Sequence, residues 1–485
     1  MKVFGSFVGN QEIQSGREQI LLDPSTGEAS SKVVFADEET ILSALEEAGK
    51  AQKIWKEFSP AKKSSLLKNL AVLLRQKNDD LARLDVEQVG KPWKEAAGYD
   101  IESGVEAIEF FASASALKRG ESYRLGSVTA LVDHEPYGIV FGIGAWNYPF
   151  QIAAWKLAPA LAAGNAMIFK PSELTPGSAL ELAKLCVEAG LPEGLFQVIQ
   201  GDGLIAERLV KDPLIRKVSL TGSVPTGKKV MQSASTSIKP VTLELGGKGP
   251  LVVFEDSHIP SAVAASMLAN FYTQGEICSN GTRVFVQSSV YEEFLNLLME
   301  RTQKINIGDP KDSSTDMGPL ISDAQYRKVL GYIEKGISEG AELKYGGRFP
   351  ESLKGTKFEK GYYVEPTIFS RCRDEMTIVR EEIFGPVLSL LSFETEEEVI
   401  QRSNNTGYGL AGAVFTKDIN RALRFSRNLE VGVCWINNYN VTPVELPFGG
   451  VKFSGIGREN AIEAMYGYTQ AKTIYIESGN LEFPY

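Results

Sequence analysis

Histidine is nearly absent: His134 and His258 are the only two in 485 residues. A multi-histidine metal site is thereby excluded, as is chemistry that needs several imidazole bases, so acid–base work passes to carboxylates. Cysteine is scarce too. Cys186, Cys278, Cys372 and Cys434 are scattered and form no Cys-x-x-Cys, which argues against a zinc ribbon or a disulfide framework and suits a reducing compartment. No apolar run reaches the roughly 18 residues of a membrane span, and Met1–Gln11 lacks the charged and apolar regions of a signal peptide, so a cytoplasmic protein is expected. Positive charge is in deficit. With 51 Lys and Arg against 61 Asp and Glu, the net charge of −10 repels phosphate backbones, and no basic stripe offsets it for nucleic acid.

What is present fits a large globular protein, since 43% hydrophobic and 23% charged residues exclude disorder, collagen and a disulfide scaffold. At about 150 residues per domain, the length makes three units or two large ones. From Glu38 to Gly98, apolar residues recur at three- and four-residue spacing (Ile41, Leu45, Ala48; Leu66, Leu67, Leu70, Leu73, Leu74), which predicts amphipathic helices. Ser127–Glu135 alternates around Val128, Ala130, Leu131 and Val132, as a short exposed strand or hairpin does. Gly138–Ile143 and Ala166–Lys170 are brief apolar runs flanking a helix-like Gln151–Ala163, a strand–helix–strand unit that calls for parallel pairing. The alternation continues through helix Ala179–Ala189, strand Phe196–Gln200, helix Ile205–Lys211 and strand Lys217–Leu220. After Gly246-Gly247 a second series has strands Pro250–Phe254 and Thr282–Val286 with helices Ile259–Thr273 and Tyr291–Arg301. The expected architecture is a doubly wound α/β sheet followed by a second α/β domain, with a surface loop at Gly346–Gly361 and a polar tail at Tyr475–Tyr485.

Several residues can carry chemistry. Glycine and small polar residues flank Cys278, which would leave its thiol accessible at a turn, as a nucleophile requires; a buried structural cysteine is the bland alternative. Glu244 stands between two leucines ahead of Gly246-Gly247, where desolvation raises a carboxyl pKa toward the range of a base; the alternative is a strand-end glutamate paired with a lysine. Asn147 closes an apolar strand, placed either to donate to an oxyanion or only to cap the turn before Pro149. Lys170 and Glu173 follow the next strand, and an acid there accepts from ribose hydroxyls while repelling a 2′-phosphate, which favours NAD. Gly222-Ser223 at a helix start and Gly201-Asp202-Gly203 are weak phosphate signals, and Glu382–Pro386 alone reads as a strand entrance.

Taken in order, Phe169-Lys170-Pro171-Ser172-Glu173, Leu220–Ser223, Leu243–Lys248, Gly275-x-x-Cys278, Glu382–Pro386 and Pro447–Gly455 resemble the NAD(P)-dependent aldehyde dehydrogenase superfamily over nearly the whole chain. The resemblance implies that family's α/β fold: a Rossmann-like NAD-binding domain at 1–118 and 137–246, an α/β catalytic domain at 247–463, and a small β oligomerisation arm at 119–136 and 464–485 that builds a homodimer or homotetramer. Cys278 is then the implied nucleophile, Asn147 and the Cys278 backbone N–H hold the oxyanion, and Glu244 activates water to hydrolyse a thioester. Lys156 and Glu459 match a proton path behind that glutamate. Trp146, Lys170, Glu173, Gly203, Gly222, Ser223, Glu382 and Phe384 are the implied NAD contacts, and no metal is implied.

Gly144–Ala153, Asn280–Val286 and Asn437–Glu445 bring the resemblance closest to the betaine aldehyde and 4-trimethylaminobutyraldehyde dehydrogenase group. Quaternary ammonium cannot donate a hydrogen bond and is recognised by aromatic faces. Tyr148, Trp155, Tyr272 and Phe448 match the aromatic substrate positions of that group, although general aliphatic or amino-aldehyde dehydrogenases also have aromatic channels. A CoA-acylating relative usually lacks the base that Glu244 supplies, and a catalytically silent structural relative has no need of Cys278, Glu244 and Asn147 together. Two residues depart from the family pattern. Glu276 replaces the usual glutamine and would raise the thiol pKa if it pointed inward, and Gly249 replaces serine or asparagine, a change expected to be mild.

Overall fold

A computed structural model describes residues 1–117 and 120–481. The domain limits expected at 118 and 119, and residues 482–485 of the expected tail, lie outside them. The amphipathic stretch forms helices α1 (Glu38–Glu57), α2 (Pro60–Gln76), α3 (Asn78–Val89) and α4 (Ile101–Ala114), the last entered through a π-helical turn at Ala96–Asp100. Helix α1 starts where the Asp37 side chain accepts from Thr40 N, and it carries Glu38 and Glu39 in its first turn and Lys56 in its last, the charge order its dipole favours. Its buried stripe of Ile41, Ala44, Leu45, Ala48, Ala51 and Trp55 keeps helical spacing. Trp55 anchors the helix, with its Nε1 donating to the Leu161 carbonyl at 2.8 Å.

The first sheet takes β1 (Ser6–Val8), β2 (Gln11–Ile13), β3 (Ile139–Ile143), β4 (Ala166–Lys170), β5 (Phe196–Val198), β6 (Ile215–Thr221) and β7 (Val241–Glu244). Its order is Gly455–Ile456, β7, β6, β3, β4, β5, β1, β2. From β7 to β5 every pair is parallel, the pairing that strand–helix alternation calls for. Helices α5 (Pro149–Ala163), α6 (Gly177–Glu188), α7 (Gly203–Lys211) and α8 (Val224–Ser235) make the connections. Every residue of β3 and β4 is buried, as a sheet covered on both faces requires. The chain builds from β3 through β4 to β5, then returns to the other side of β3 with β6 and β7. The carboxyl ends of β3 and β6 thus flank a topological switch point, the crevice where open α/β sheets take ligands. Asn147 follows β3, and Ser223 follows β6.

The second sheet holds β8 (Pro250–Val253), β9 (Arg283–Gln287), β10 (Glu342–Tyr345), β11 (Thr367–Ser370), β12 (Val387–Phe393), β13 (Ala411–Phe415) and β14 (Val433–Ile436), in the order β10, β11, β12, β9, β8, β13, β14. Helix α9 (Ile259–Phe271) leads from β8 toward β9 and delivers the segment that carries Cys278. Strands Glu121–Leu125 and Val128–Pro136 pair as a hairpin, and Thr469–Glu477 pairs antiparallel with the second of them along its length. The polar tail expected from Tyr475 is corrected by this pairing, because Tyr475–Glu477 completes the strand. Strands Lys2–Phe4, Glu18–Leu22 and Ala29–Val34 form a small sheet that sequence patterning missed: the first is only three residues long, and the other two do not alternate apolar with polar residues. Among the described residues, no helix is long and apolar enough to cross a membrane.

Trp55 is fully buried between α1 and α5. Trp55→Ala is expected to destabilise by about 3–5 kcal/mol, read as a lower denaturation midpoint in urea, with Trp55→Phe falling less. Equal midpoints for wild type and Trp55→Ala would refute this packing.

Candidate active site

After α9 the chain turns through Tyr272–Gly275, where Thr273 (φ 48°), Gln274 (φ 53°) and Gly275 (φ 72°) are all left-handed. Glycine adopts this backbone freely, but a β-branched threonine there is strained by about 1–3 kcal/mol. Three residues later comes Cys278, half-buried in a turn. Burial, and then the Glu244 and Glu382 carboxyls, push its thiol up to about 12. Of the other cysteines, Cys186 and Cys372 are buried and Cys434 lies on β14.

Glu276 points away from the thiol. It is fully buried, its Oε1 accepts from Ile321 N at 3.2 Å, and its main-chain oxygen accepts from Asn147 Nδ2 at 2.9 Å. Desolvation holds its carboxyl well above the ordinary value of 4.5. Asn147 is therefore more than a turn cap, because helix α5 begins after Tyr148 and the Asn147 amide reaches across to the segment that carries Cys278.

Glu244 ends β7, 5% exposed, and among the described residues no lysine or arginine pairs with it. Desolvation first, and then the Glu459 charge, raise its carboxyl well above the ordinary range. Close approaches place the acids: a Cβ on Gly247 would meet the Cys278 carbonyl at 2.6 Å, and one on Gly449 would meet Glu244 Oε1 at 2.5 Å. Gly247 N also donates to Glu382 Oε1 at 2.9 Å. Gly249 is used in the same way, since a side chain there would run into the Ala411 carbonyl at 2.6 Å. Behind Glu244, buried Lys156 forms an ion pair with Glu459 and donates to Ser219 Oγ at 3.1 Å. Glu459 and Phe448 exchange two backbone hydrogen bonds of 2.8 Å, which ties this pair to the aromatic wall.

A cleft of about 780 Å³ opens at the switch point, with Trp146, Lys170, Glu173, Gly203, Gly222 and Ser223 on its walls. Helices α7 and α8 point their first turns there, capped by Asp202 and Ser223. Lys170 is buried, lies 3.6 Å from Glu173 Oε2, and has its pKa lowered by desolvation. Phe384 (φ 60°) meets Trp146 edge-on at 5.2 Å, so the remaining expected cofactor positions, Glu382 and Phe384, approach the cleft from the opposite sheet. Thr226, within the Gly222–Gly227 stretch that the sequence offered for a phosphate, lines the cleft from α8; sequence reasoning missed Lys229 and Ser233 beyond it, whose three- and four-residue spacing from Thr226 was the available signal.

The expected substrate aromatics form a broken wall. Trp155 packs on Phe448 at 5.7 Å, the Tyr148 hydroxyl lies 3.1 Å from Thr273 Oγ1, and Tyr272 meets Tyr99 edge-on at 6.5 Å. Tyr99 and Tyr272 border a second cavity of about 740 Å³ that also touches Glu95 and Met267. Lys91 Nζ sits 3.7 Å from the Tyr148 ring. Tyr99, Glu95 and Lys91 went unseen because they fall within a helical pattern that gives no sign of which face looks into a cavity. Neither histidine is at the site: His134 packs on Tyr466 at 4.9 Å, and His258 contacts Ser261 Oγ at 2.8 Å.

The family described as "Aldehyde dehydrogenase family" matches residues 12–474. The chain belongs to the aldehyde dehydrogenase family. It is 52% identical over 481 residues to the betaine aldehyde dehydrogenase of Brucella anthropi, covering 99% of this chain and 98% of the relative. Among solved structures it resembles the NAD+ complex of an aldehyde dehydrogenase from Bacillus cereus (TM-score 0.95, 37% identity, 99% of this chain and 97% of that one). It also resembles a point mutant of betaine aldehyde dehydrogenase from Staphylococcus aureus in complex with NAD+ (TM-score 0.95, 32% identity, 99% and 98%). The aldehyde dehydrogenase fold expected from the motifs is thus the fold observed.

The buried Glu276 gives this aldehyde dehydrogenase a testable pH dependence. Unfolded, the carboxyl ionises near 4.5, whereas the fold keeps its proton to higher pH. Stability then falls with rising pH, by up to about 1.4 kcal/mol per unit between the two values, with no loss below the lower one. Glu276→Gln is expected to melt with wild type at about pH 4 and above it by a margin that widens as pH rises from there. A constant margin would mean that the carboxyl is ionised in the fold.

Proposed function

We propose that this enzyme oxidises betaine aldehyde irreversibly to the corresponding carboxylic acid with NAD, through a covalent intermediate on Cys278. The observation that carries the reading is the enclosure of one thiol with a carboxyl that forms no salt bridge among the described residues, Cys278 with Glu244, beside the donor amide of Asn147. A thiol held near 12 is a poor nucleophile until a base takes its proton. The task of Glu244, raised by burial, comes later, at hydrolysis of the thioester. The thiolate attacks the aldehyde carbonyl, and Asn147 with the Cys278 N–H receives the oxyanion of the thiohemiacetal.

The cleft at the switch point fits a dinucleotide: two helix N-termini face it, and Glu173 offers an open carboxylate for ribose hydroxyls. Bound there, NAD supplies the acceptor for the hydride that the thiohemiacetal loses in becoming a thioester. Glu382 and Phe384 approach from the second sheet to position it. Glu244 then draws a proton from the water that hydrolyses the thioester, and Glu459 with Lys156 carries that proton away. A CoA-acylating enzyme has no use for this base.

For the substrate, Tyr148, Trp155, Tyr272 and Phe448 offer aromatic faces to a trimethylammonium group, in keeping with the 52% identity to a betaine aldehyde dehydrogenase. 4-Trimethylaminobutyraldehyde carries the same head on a longer chain. We also read the chain as a cytoplasmic homo-oligomer. Its free cysteines suit a reducing compartment, and strand Thr469–Glu477 exposes Ile474, Tyr475 and Ile476 in a row that a second copy would cover.

NADH formation with betaine aldehyde, 4-trimethylaminobutyraldehyde and uncharged aliphatic aldehydes tests the reading. Betaine aldehyde is expected to give the highest kcat/KM. Higher kcat/KM with the uncharged aldehydes would overturn the aromatic recognition, and no NADH with any aldehyde would overturn the chemistry.

A further inference from the structure

The strained turn before Cys278 is gripped from outside the site. Glu95 ends the short helical turn Trp93–Glu95, 178 residues earlier in the chain, and is fully buried. Its Oε2 accepts from Thr273 N at 3.0 Å and from Thr273 Oγ1 at 2.8 Å. Thr273 is the β-branched residue at φ 48°, a conformation that persists only when its surroundings over-determine it.

The grip is passed on. The Thr273 carbonyl accepts from Glu276 N at 2.8 Å, and the Glu276 carbonyl accepts from Asn147 Nδ2 at 2.9 Å. The Thr273 hydroxyl also lies 3.1 Å from the hydroxyl of Tyr148, the residue after Asn147. One carboxyl oxygen thus sits at the head of a hydrogen-bonded chain that ends at the oxyanion donor and, two residues past Glu276, at the nucleophile. Nearby, Lys91 forms a buried ion pair with Asp100. We infer that Glu95 is a positioning residue of this enzyme, whose two hydrogen bonds hold Thr273 in its left-handed conformation and thereby set Cys278 and the Asn147 amide. The inference rests on the proposed roles of Cys278 and Asn147.

The test uses the full-length enzyme, with kcat, KM and the rate of Cys278 alkylation by iodoacetamide as readouts. Glu95→Ala is expected to lower kcat by about 10- to 100-fold with KM for NAD within about threefold, and to change the alkylation rate, as a displaced nucleophile does. Adding Thr273→Gly is expected to restore most of the lost kcat, because glycine holds the positive φ without a clamp. Glu95→Gln, which keeps an acceptor oxygen, is expected to stay within about threefold of wild type. If Glu95→Ala does not fold, Glu95→Asp replaces it. That variant keeps a carboxyl group at this position but withdraws it from Thr273, and the same loss and the same glycine rescue are expected. A kcat within about twofold of wild type in the clamp-breaking variant, or a loss that Thr273→Gly does not repair, would overturn the inference. Activity retained by Cys278→Ala would instead overturn the reading of the site itself.

Discussion

Desolvation of the Glu244 carboxyl is the constraint on which the rest of the site depends. Burying a carboxylate costs several kcal/mol, so an enclosed carboxyl holds its proton more tightly than one in water. Glu244 is in that position at the end of β7, with Gly449 pressed against it; desolvation and the Glu459 charge raise it, and Lys156 and Arg458 offset only part of that. The same enclosure raises the Cys278 thiol. Thiol and acid are thus desolvated together, and neither ionises as readily as it would in water.

The fold supplies that enclosure by joining two sheets at their functional ends. The first brings Asn147, Glu244 and the helix N-termini to a switch point; the second brings Cys278, Glu382 and Phe384. Contact between them requires backbone to approach carboxyl at glycine distance, which Gly246-Gly247 and Gly449 permit. It also requires strain. Thr273, Gln274 and Phe384 all hold positive φ beside the reacting centre, and buried hydrogen bonds from elsewhere in the chain over-determine the turn.

Much of this could be read from residues alone. Strand–helix alternation gave the parallel sheets, and the motifs around Glu244 and Cys278 led to groups that the fold does assemble, although their separation in sequence conceals the contact. The scarcity of histidine had already moved the acid–base work to glutamate, and both imidazoles lie away from the site. Illegible features depend on direction rather than identity. Glu276 looked like a threat to the thiol until its side chain was seen turned to Ile321. Glu95 sits in an ordinary helical pattern, and nothing local announces that its carboxyl reaches Thr273. The short N-terminal strands fell below the length at which alternation becomes a signal.

The central claim is that catalysis runs through a thioester on Cys278 that Glu244 resolves. Glu244→Gln enzyme mixed with betaine aldehyde and NAD, quenched in acid and mapped by peptide mass spectrometry, tests it most directly. The account predicts one equivalent of NADH formed in a burst and an acyl group on the peptide containing Cys278, with Cys186, Cys372 and Cys434 unmodified. Steady wild-type turnover in that variant, with Cys278 unmodified, would contradict it.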